Sequence, residues 1–250
     1  MHKVYLDRFG KPYQTPYEYS ATQKYKVGER YVEHGPLRRV FRYAYSCTAV
    51  TAGNLLSAAP FGGSDTAIES ICVIPVQAAG HGVVGSRLLD VTLGNAQPAD
   101  RYAEGILIIT NVGGTKVESY AVESNTIGTA AVFTLYDELI ATPTPASDTV
   151  GLATNPWLAV DNFPAAAVGM PVGIPLIDVP ALMWFWCQTW GPVGVYTAPA
   201  LTIGVDIMDD AGIIGGVISD DAALIGSKPG VAMTAGVATY CAHSYIRIAP

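Results

Sequence analysis

Charge is scarce in this chain. Asp, Glu, Lys and Arg supply 14% of its 250 residues, where an ordinary soluble domain carries about 25%. Half of the residues are hydrophobic. A free monomer so poor in charge is hard to keep in solution, so the composition suits a protein that buries much of its outside against other chains. Cysteine is equally sparse. Cys47, Cys72, Cys187 and Cys241 form no Cys-x-x-Cys pair, and three disulfide pairings stay open on sequence alone. The expectation is free, buried thiols in a protein made in a reducing cytoplasm. No Asn-x-Ser/Thr site occurs, which leaves no signal for glycosylation.

Targeting and membrane signals are missing as well. No apolar run follows the first basic residues, so no secretory leader is expected. The longest uncharged stretch, Val179 to Val205, is broken by Pro180, Pro192 and Pro199, with Gly191 and Gly194 between, and Asp178 and Asp206 flank it. Proline inside the stretch and acids where Lys, Arg or aromatic anchors belong exclude a transmembrane helix, and no membrane partner is expected. No segment shows a long amphipathic helical period; a single helical turn near Asp137–Ala141 is the most the pattern supports.

Catalytic signatures are absent too. The histidines, His2, His34, His81 and His243, show no His-x-x-x-His or His-Glu-x-x-His spacing, so no metal is expected. No Gly-x-Ser-x-Gly elbow appears. Gly80-His81-Gly82-Val83-Val84-Gly85 matches Gly-x-Gly-x-x-Gly, but a dinucleotide fold needs a helix directly after that turn. Ser86 to Gly94 alternates like a strand instead, and no cofactor is expected. His243 shares a predicted strand face with Cys241, Tyr245 and Arg247, a Cys–His spacing that can activate a thiol; a packed cysteine beside a hydrogen-bonded histidine is the reading adopted. Asp209-Asp210 and Ser219-Asp220-Asp221 match no metal loop and read as turn caps, or as docking points for a basic segment of a neighbour. The chain is not expected to be an enzyme.

What the chain does have is an uneven distribution of charge and tyrosine. The first 45 residues hold nine bases, Lys3, Arg8, Lys11, Lys24, Lys26, Arg30, Arg38, Arg39 and Arg42, against four acids, a net +5. Residues 46–250 hold five bases against seventeen acids, a net −12. Tyr5, Tyr13, Tyr17, Tyr19, Tyr25 and Tyr31 punctuate the basic segment without strand or helix period. We read residues 1–37 as an extended, basic, tyrosine-rich arm with no fold of its own, ordered by lying on a neighbouring copy. Scattered bases ahead of an acidic body argue against nucleic acid as its partner. The interface residues expected are Tyr5, Arg8, Tyr13, Tyr17, Tyr19, Lys24, Tyr25, Lys26, Arg30 and Tyr31.

From residue 38 the period becomes two. Strands are predicted over 38–46, 70–77, 87–93, 105–111, 115–122, 130–136, 182–190, 193–197, 201–208, 213–218 and 238–248. Turns such as Phe61-Gly62-Gly63-Ser64-Asp65, Asn111-Val112-Gly113-Gly114 and Ala211-Gly212 separate them. Many short strands with regular turns predict an all-β protein of two barrel- or sandwich-like modules, residues 38–140 and 168–250, joined by a proline-rich connection over 141–167. A regular strand over 182–190 places Trp184, Trp186 and Trp190 on one face as core or interface anchors, with sugar stacking as the alternative.

Three stretches carry a resemblance: Val40-Phe41-Arg42-Tyr43-Ala44 followed by Thr51-Ala52-Gly53-Asn54-Leu55, then Asp100-Arg101-Tyr102-Ala103-Glu104-Gly105, then Gln188-Thr189-Trp190-Gly191-Pro192. They resemble structural proteins encoded in tailed-bacteriophage head gene clusters. The resemblance implies a virion protein of the head decoration (cement) type, assembled in the host bacterial cytoplasm. Its implied partners are the major capsid protein and neighbouring copies of itself, in a homo-oligomer such as a trimer or dimer. Another virion subunit (major capsid, tail or spike) and a carbohydrate-binding β module are the alternatives, with a hydrolase built on His81 or His243 third.

Overall fold

The computed structural model describes residues 13–58, 68–111, 116–164, 169–197, 200–210, 212–220, 228–236 and 240–249. These residues form strands, turns and bends and no helix. The predicted helical turn at 137–141 is a bend followed by irregular chain. The strands are β1 (Tyr19–Ser20), β2 (Arg30–Val32), β3 (Val40–Tyr45), β4 (Leu56–Ala58), β5 (Ile68–Val73) and β6 (Leu88–Gln97). Next come β7 (Ile106–Thr110), β8 (Val117–Asn125), β9 (Gly128–Leu135), β10 (Thr149–Ala153), β11 (Val160–Asn162) and β12 (Pro171–Pro175). The last are β13 (Trp184–Thr197), β14 (Asp206–Asp209), β15 (Val217–Ser219), β16 (Gly230–Ala232) and β17 (Tyr240–Arg247). The chain is all-β and contains two closed barrels, as the spacing of strands and turns predicts.

The division into modules differs from the sequential one. One unit is Met1–Pro60 with Pro156–Pro250; the other is Phe61–Asn155. The strand predicted to open the first module, β3, belongs with β13, which it pairs from Trp184↔Tyr45 to Trp190↔Val40. The stretch 141–167 is not a connection: it contributes β10 to one unit and β11 to the other. Because β4 and β11 pair antiparallel, Val160 opposite Ala58, the chain leaves and re-enters the first unit along adjacent strands. A whole domain can be inserted at such a point without disturbing the sheet.

The inserted unit is a six-stranded antiparallel barrel in the cyclic order β5-β6-β9-β8-β7-β10. Closure removes the sheet edges that would otherwise pair with other chains. Alternation decides what lies inside. Leu89, Val91 and Leu93 of β6, Leu107 and Ile109 of β7, and Val150 and Leu152 of β10 are buried, with outward residues between them. Tyr102 and Phe133 fill the interior, ring centres 5.7 Å apart. Gly105 is required there: a Cβ would sit 2.4 Å from the Ala153 carbonyl oxygen.

The first unit is an eleven-stranded sheet in which β13, β15, β14, β16 and β17 close a five-stranded barrel. The fourteen residues of β13 serve two surfaces. Its first half pairs β3, β12 and β1; its second half pairs β17 from Trp190↔Arg247 to Thr197↔Tyr240. A register shift between Gln188 and Trp190 and a left-handed Gly191 (φ 97°) mark the change of direction, as bulges and glycines do at barrel corners. The two strands predicted at 182–190 and 193–197 are therefore one. The barrel core holds Val195, Ile207, Val217 and Ile246; a neighbouring cluster gathers Val50, Leu56, Val160, Val172 and Phe185.

Candidate interaction surface

Residues 13–37 do not form a free arm. The segment folds onto its own unit: β1 pairs β13 at Tyr19↔Phe185, and β2 pairs β3 at Tyr31↔Phe41. The physical reason is aromatic burial. Tyr25, Tyr31, Phe41, Tyr43 and Trp186 form one buried cluster. The Trp186 ring lies 4.9 Å from Tyr43, 5.0 Å from Tyr25 and 5.7 Å from Tyr31. Tyr25 meets Tyr43 edge-on at 5.2 Å and 77°, and Trp184 stacks on Tyr43 at 5.7 Å and 7°. Edge-to-face and offset pairs such as these add to the area they bury.

The polar ends of the cluster are hydrogen-bonded, and Gln14 is the centre of that network. Only 4% exposed, it accepts from Trp186 Nε1 at its backbone oxygen (2.7 Å) and from the Tyr43 hydroxyl at Oε1 (2.7 Å). Its Nε2 donates to the Trp184 carbonyl (2.8 Å) and the Glu18 carbonyl (3.1 Å). The Tyr13 N–H donates to the Tyr25 hydroxyl (2.8 Å), and the Lys24 N–H to the Tyr43 hydroxyl (3.1 Å). Buried polar groups cost little only when satisfied in this way. Nothing in the sequence marks Gln14, because apart from Glu18 these partners are 29 to 172 positions away.

Burial pushes the Tyr43 phenol up to about 12 and also raises Tyr25 and Tyr31. A phenol whose folded pKa exceeds its free value of 10 stabilises the fold fully below pH 10. That stability is lost as the pH rises through 12. The first unit should therefore unfold in alkali between these limits. Tyr43→Phe should move the midpoint to higher pH in an ultraviolet titration of phenolate absorbance run beside circular dichroism.

Over this core lies an exposed row, with Tyr13 72%, Tyr17 58% and Tyr19 48% accessible. Tyr17 accepts from Arg39 (3.1 Å), which grips Glu33 through Nε at 2.7 Å and NH2 at 2.6 Å. The guanidinium holds the Glu33 carboxyl below the usual range and lies 5.5 Å from the Phe41 ring. Of the other residues expected at an interface, Lys24 and Arg30 are exposed and Lys26 is half-buried, its N–H donating to Glu29. Tyr25, Tyr31 and Trp186 are core residues of their own chain. Tyr5 and Arg8 lie outside the described residues. Trp190 does not join Trp184 and Trp186: past the register shift it meets Tyr245 edge-on at 5.8 Å.

The remaining sequence candidates hold structural positions. Gly80, Gly82 and Gly85 are left-handed turn residues, and the loop leads into β6 rather than a helix. His81 Nδ1 lies 2.8 Å from Asp90 Oδ1. Cys241 and His243 both face outward on β17. Asp209 is buried and Asp220 pairs with Lys228 at 2.5 Å; Asp221, like the turns at 61–65 and 112–114 and Ala211, lies outside the described residues. No group of three or more His, Cys, Asp or Glu side chains suited to a metal occurs among the described residues. None of the four cysteines is in a disulfide. Cys72 and Cys187 are buried as expected, but Cys241 is exposed because alternation on β17 points it outward. Burial pushes the Cys187 thiol up to about 12, which leaves it inert as a nucleophile.

The residues that carry the phage resemblance belong to this framework. Val40–Ala44 lie in β3, residues 51–55 lead into β4, and 188–192 form the bend of β13. Residues 100–105 form the turn between β6 and β7, with Asp100 and Glu104 left-handed. Compared with protein-family models, curated proteins and solved structures, the chain matches none.

Proposed function

We propose that this chain is a structural subunit of a tailed-bacteriophage virion, a head decoration (cement) protein. It stabilises the shell through contacts with the major capsid protein and with neighbouring copies of itself, in a symmetric dimer or trimer. The observation that carries this reading is the row Tyr13, Tyr17 and Tyr19, exposed yet anchored through Gln14, Tyr25 and Arg39 to a buried aromatic core. Tyrosine offers large amphipathic contact area and loses little side-chain entropy when bound, and a pre-anchored row loses less still. The stretches that resemble phage head proteins support a capsid partner, and low charge density fits a surface that spends its life covered. The screening length of about 8 Å at physiological salt restricts Lys24 and Arg30 to setting register at contact.

Co-sedimentation with purified phage heads tests the proposal. Saturable binding at a fixed ratio to the capsid protein is expected, together with its loss in Tyr13→Ala/Tyr17→Ala/Tyr19→Ala, a variant that touches only exposed rings. Absence of particle binding, or binding untouched by the triple variant, would overturn it. The carbohydrate-binding alternative loses its tryptophan face, because the Trp186 indole is buried and bonded to Gln14. The exposed tyrosines still keep it in play, and glycan-array binding without head binding would favour it.

A further inference from the structure

We infer that one end of the inserted barrel, built from residues 74–87 and 136–148, docks the amino-terminal segment, residues 1–12, of a second copy of this chain. Strand pairing brings these loops to one end: Val73 faces Thr149, Leu88 faces Thr134, and Thr110 faces both Thr149 and Val117. There the barrel turns apolar side chains outward. Val76 is 86% exposed, Ile140 74% and Val84 62%, and Val83 and Val117 at this end are exposed as well. Beside them a cleft of about 260 Å³ is lined by Ile109, Ala141 and Pro143 with Lys116, Glu118 and Asp148.

These loops are held in place. Gly85 N–H donates to the Leu139 carbonyl (2.9 Å) and Leu139 N–H returns a bond to Ser86 (2.8 Å). Ile140 N–H donates to the Tyr120 hydroxyl (3.1 Å). The Gln77 side chain bonds both backbone groups of Asp90, at 2.8 and 2.9 Å, and fills the space beside Gly82, where a Cβ would meet it at 2.5 Å. An apolar surface fixed by backbone hydrogen bonds cannot fold its side chains away from water, and such patches mark contact sites.

Charge selects the occupant. The inserted unit holds ten acids against three bases, a net −7 equal to that of the whole chain, which leaves the other unit neutral. The rim of this end carries Glu118, Asp137 and Glu138 against Lys116 and Arg87, the last paired with Glu123, while Asp148 lines the cleft from a buried position. The matching partner is a short segment both basic and apolar. Residues 1–12 have that composition: Lys3, Arg8 and Lys11 against Asp7, interleaved with Val4, Tyr5, Leu6 and Phe9. They lie outside the described residues. Twelve residues reach at most about 40 Å, enough to cross a barrel end. Apolar area supplies the affinity and the acidic rim supplies orientation and encounter rate.

The inference stands on the barrel surface and not on the virion reading, and its test needs no phage particle. Sedimentation velocity of the full chain over a concentration series should show self-association. Val84→Asp/Ile140→Asp, whose sites are exposed, should keep the wild-type thermal transition but associate about tenfold or more weakly. A chain lacking residues 1–12 keeps every residue described above. It should be monomeric and should bind a labelled peptide of residues 1–12 in a salt-sensitive way that Val84→Asp/Ile140→Asp abolishes. Association unchanged in either variant, a full chain monomeric throughout, or a peptide that ignores the double substitution would overturn the inference.

Discussion

Removing residues 1–37 should unfold the first unit rather than trim it. Tyr25 and Tyr31 are core side chains, and Gln14 satisfies the polar atoms of Trp186 and Tyr43. A fully buried tyrosine removes about 150–250 Å² from water. At about 25 cal/mol per Å² that is roughly 4–6 kcal/mol each, as an upper figure. Two such losses, with the exposure of Phe41, Tyr43 and Trp186, match the whole stability of a typical domain, about 5–15 kcal/mol. All four tryptophans belong to this unit, so tryptophan fluorescence reports on it alone. The expected result is loss of the cooperative fluorescence transition in urea. A far-ultraviolet circular dichroism transition should remain, from the inserted barrel with its separate core. A truncated chain with an unchanged fluorescence midpoint would restore the dispensable arm and remove the anchoring argument.

The second large effect is expected at Trp186. Its replacement by alanine empties the centre of the aromatic cluster and frees the Gln14 carbonyl from its donor. Large-to-small changes of a buried tryptophan cost about 3–5 kcal/mol. Trp186→Phe separates the two contributions. It keeps a ring but removes the Nε1–H donor, and the unsatisfied carbonyl should cost about 1–3 kcal/mol. Urea denaturation followed by the three remaining tryptophans measures both. If phenylalanine costs as much as alanine, the hydrogen bond dominates; if it costs almost nothing, the indole N–H is replaceable by water and the network argued from Gln14 is weaker than its geometry suggests.

Much of the β architecture was legible in advance for local reasons. Leu89, Val91 and Leu93 alternate with outward residues because a barrel wall has one dry face. That pattern survives whatever the strand pairs with. The long strand containing Trp184 and Trp186 was legible too, although its first half is buried on both faces and Gly191 and Pro192 made it read as two. Strands were missed where the pattern has little room to repeat: β1, β2, β4, β11 and β16 span two or three residues each, and β10 and β12, in the stretch read as a proline-rich connection or just after it, span five. The surface candidates divided along the same line. Tyr13, Tyr17 and Tyr19 stay exposed, whereas Tyr25 and Tyr31, drawn from the same basic tyrosine-rich stretch, are buried. Neither spacing nor charge distinguishes the two groups, because what buries Tyr25 is a tryptophan 161 positions later.

The amino-acid order by itself determined that this protein is all-β, that its Gly-x-Gly-x-x-Gly match runs into a strand pattern instead of a helix, and that base and tyrosine gather at one end of the chain. These are properties of neighbours in sequence, set by side-chain period and turn chemistry. Only the tertiary structure decided that the chain folds as an inserted barrel within a split unit, and that the basic leader from Tyr13 onward is a wall of that unit. Both follow from pairings between distant strands, β4 with β11 and β1 with β13. Such pairings form because together they bury apolar and aromatic surface that neither partner can bury alone.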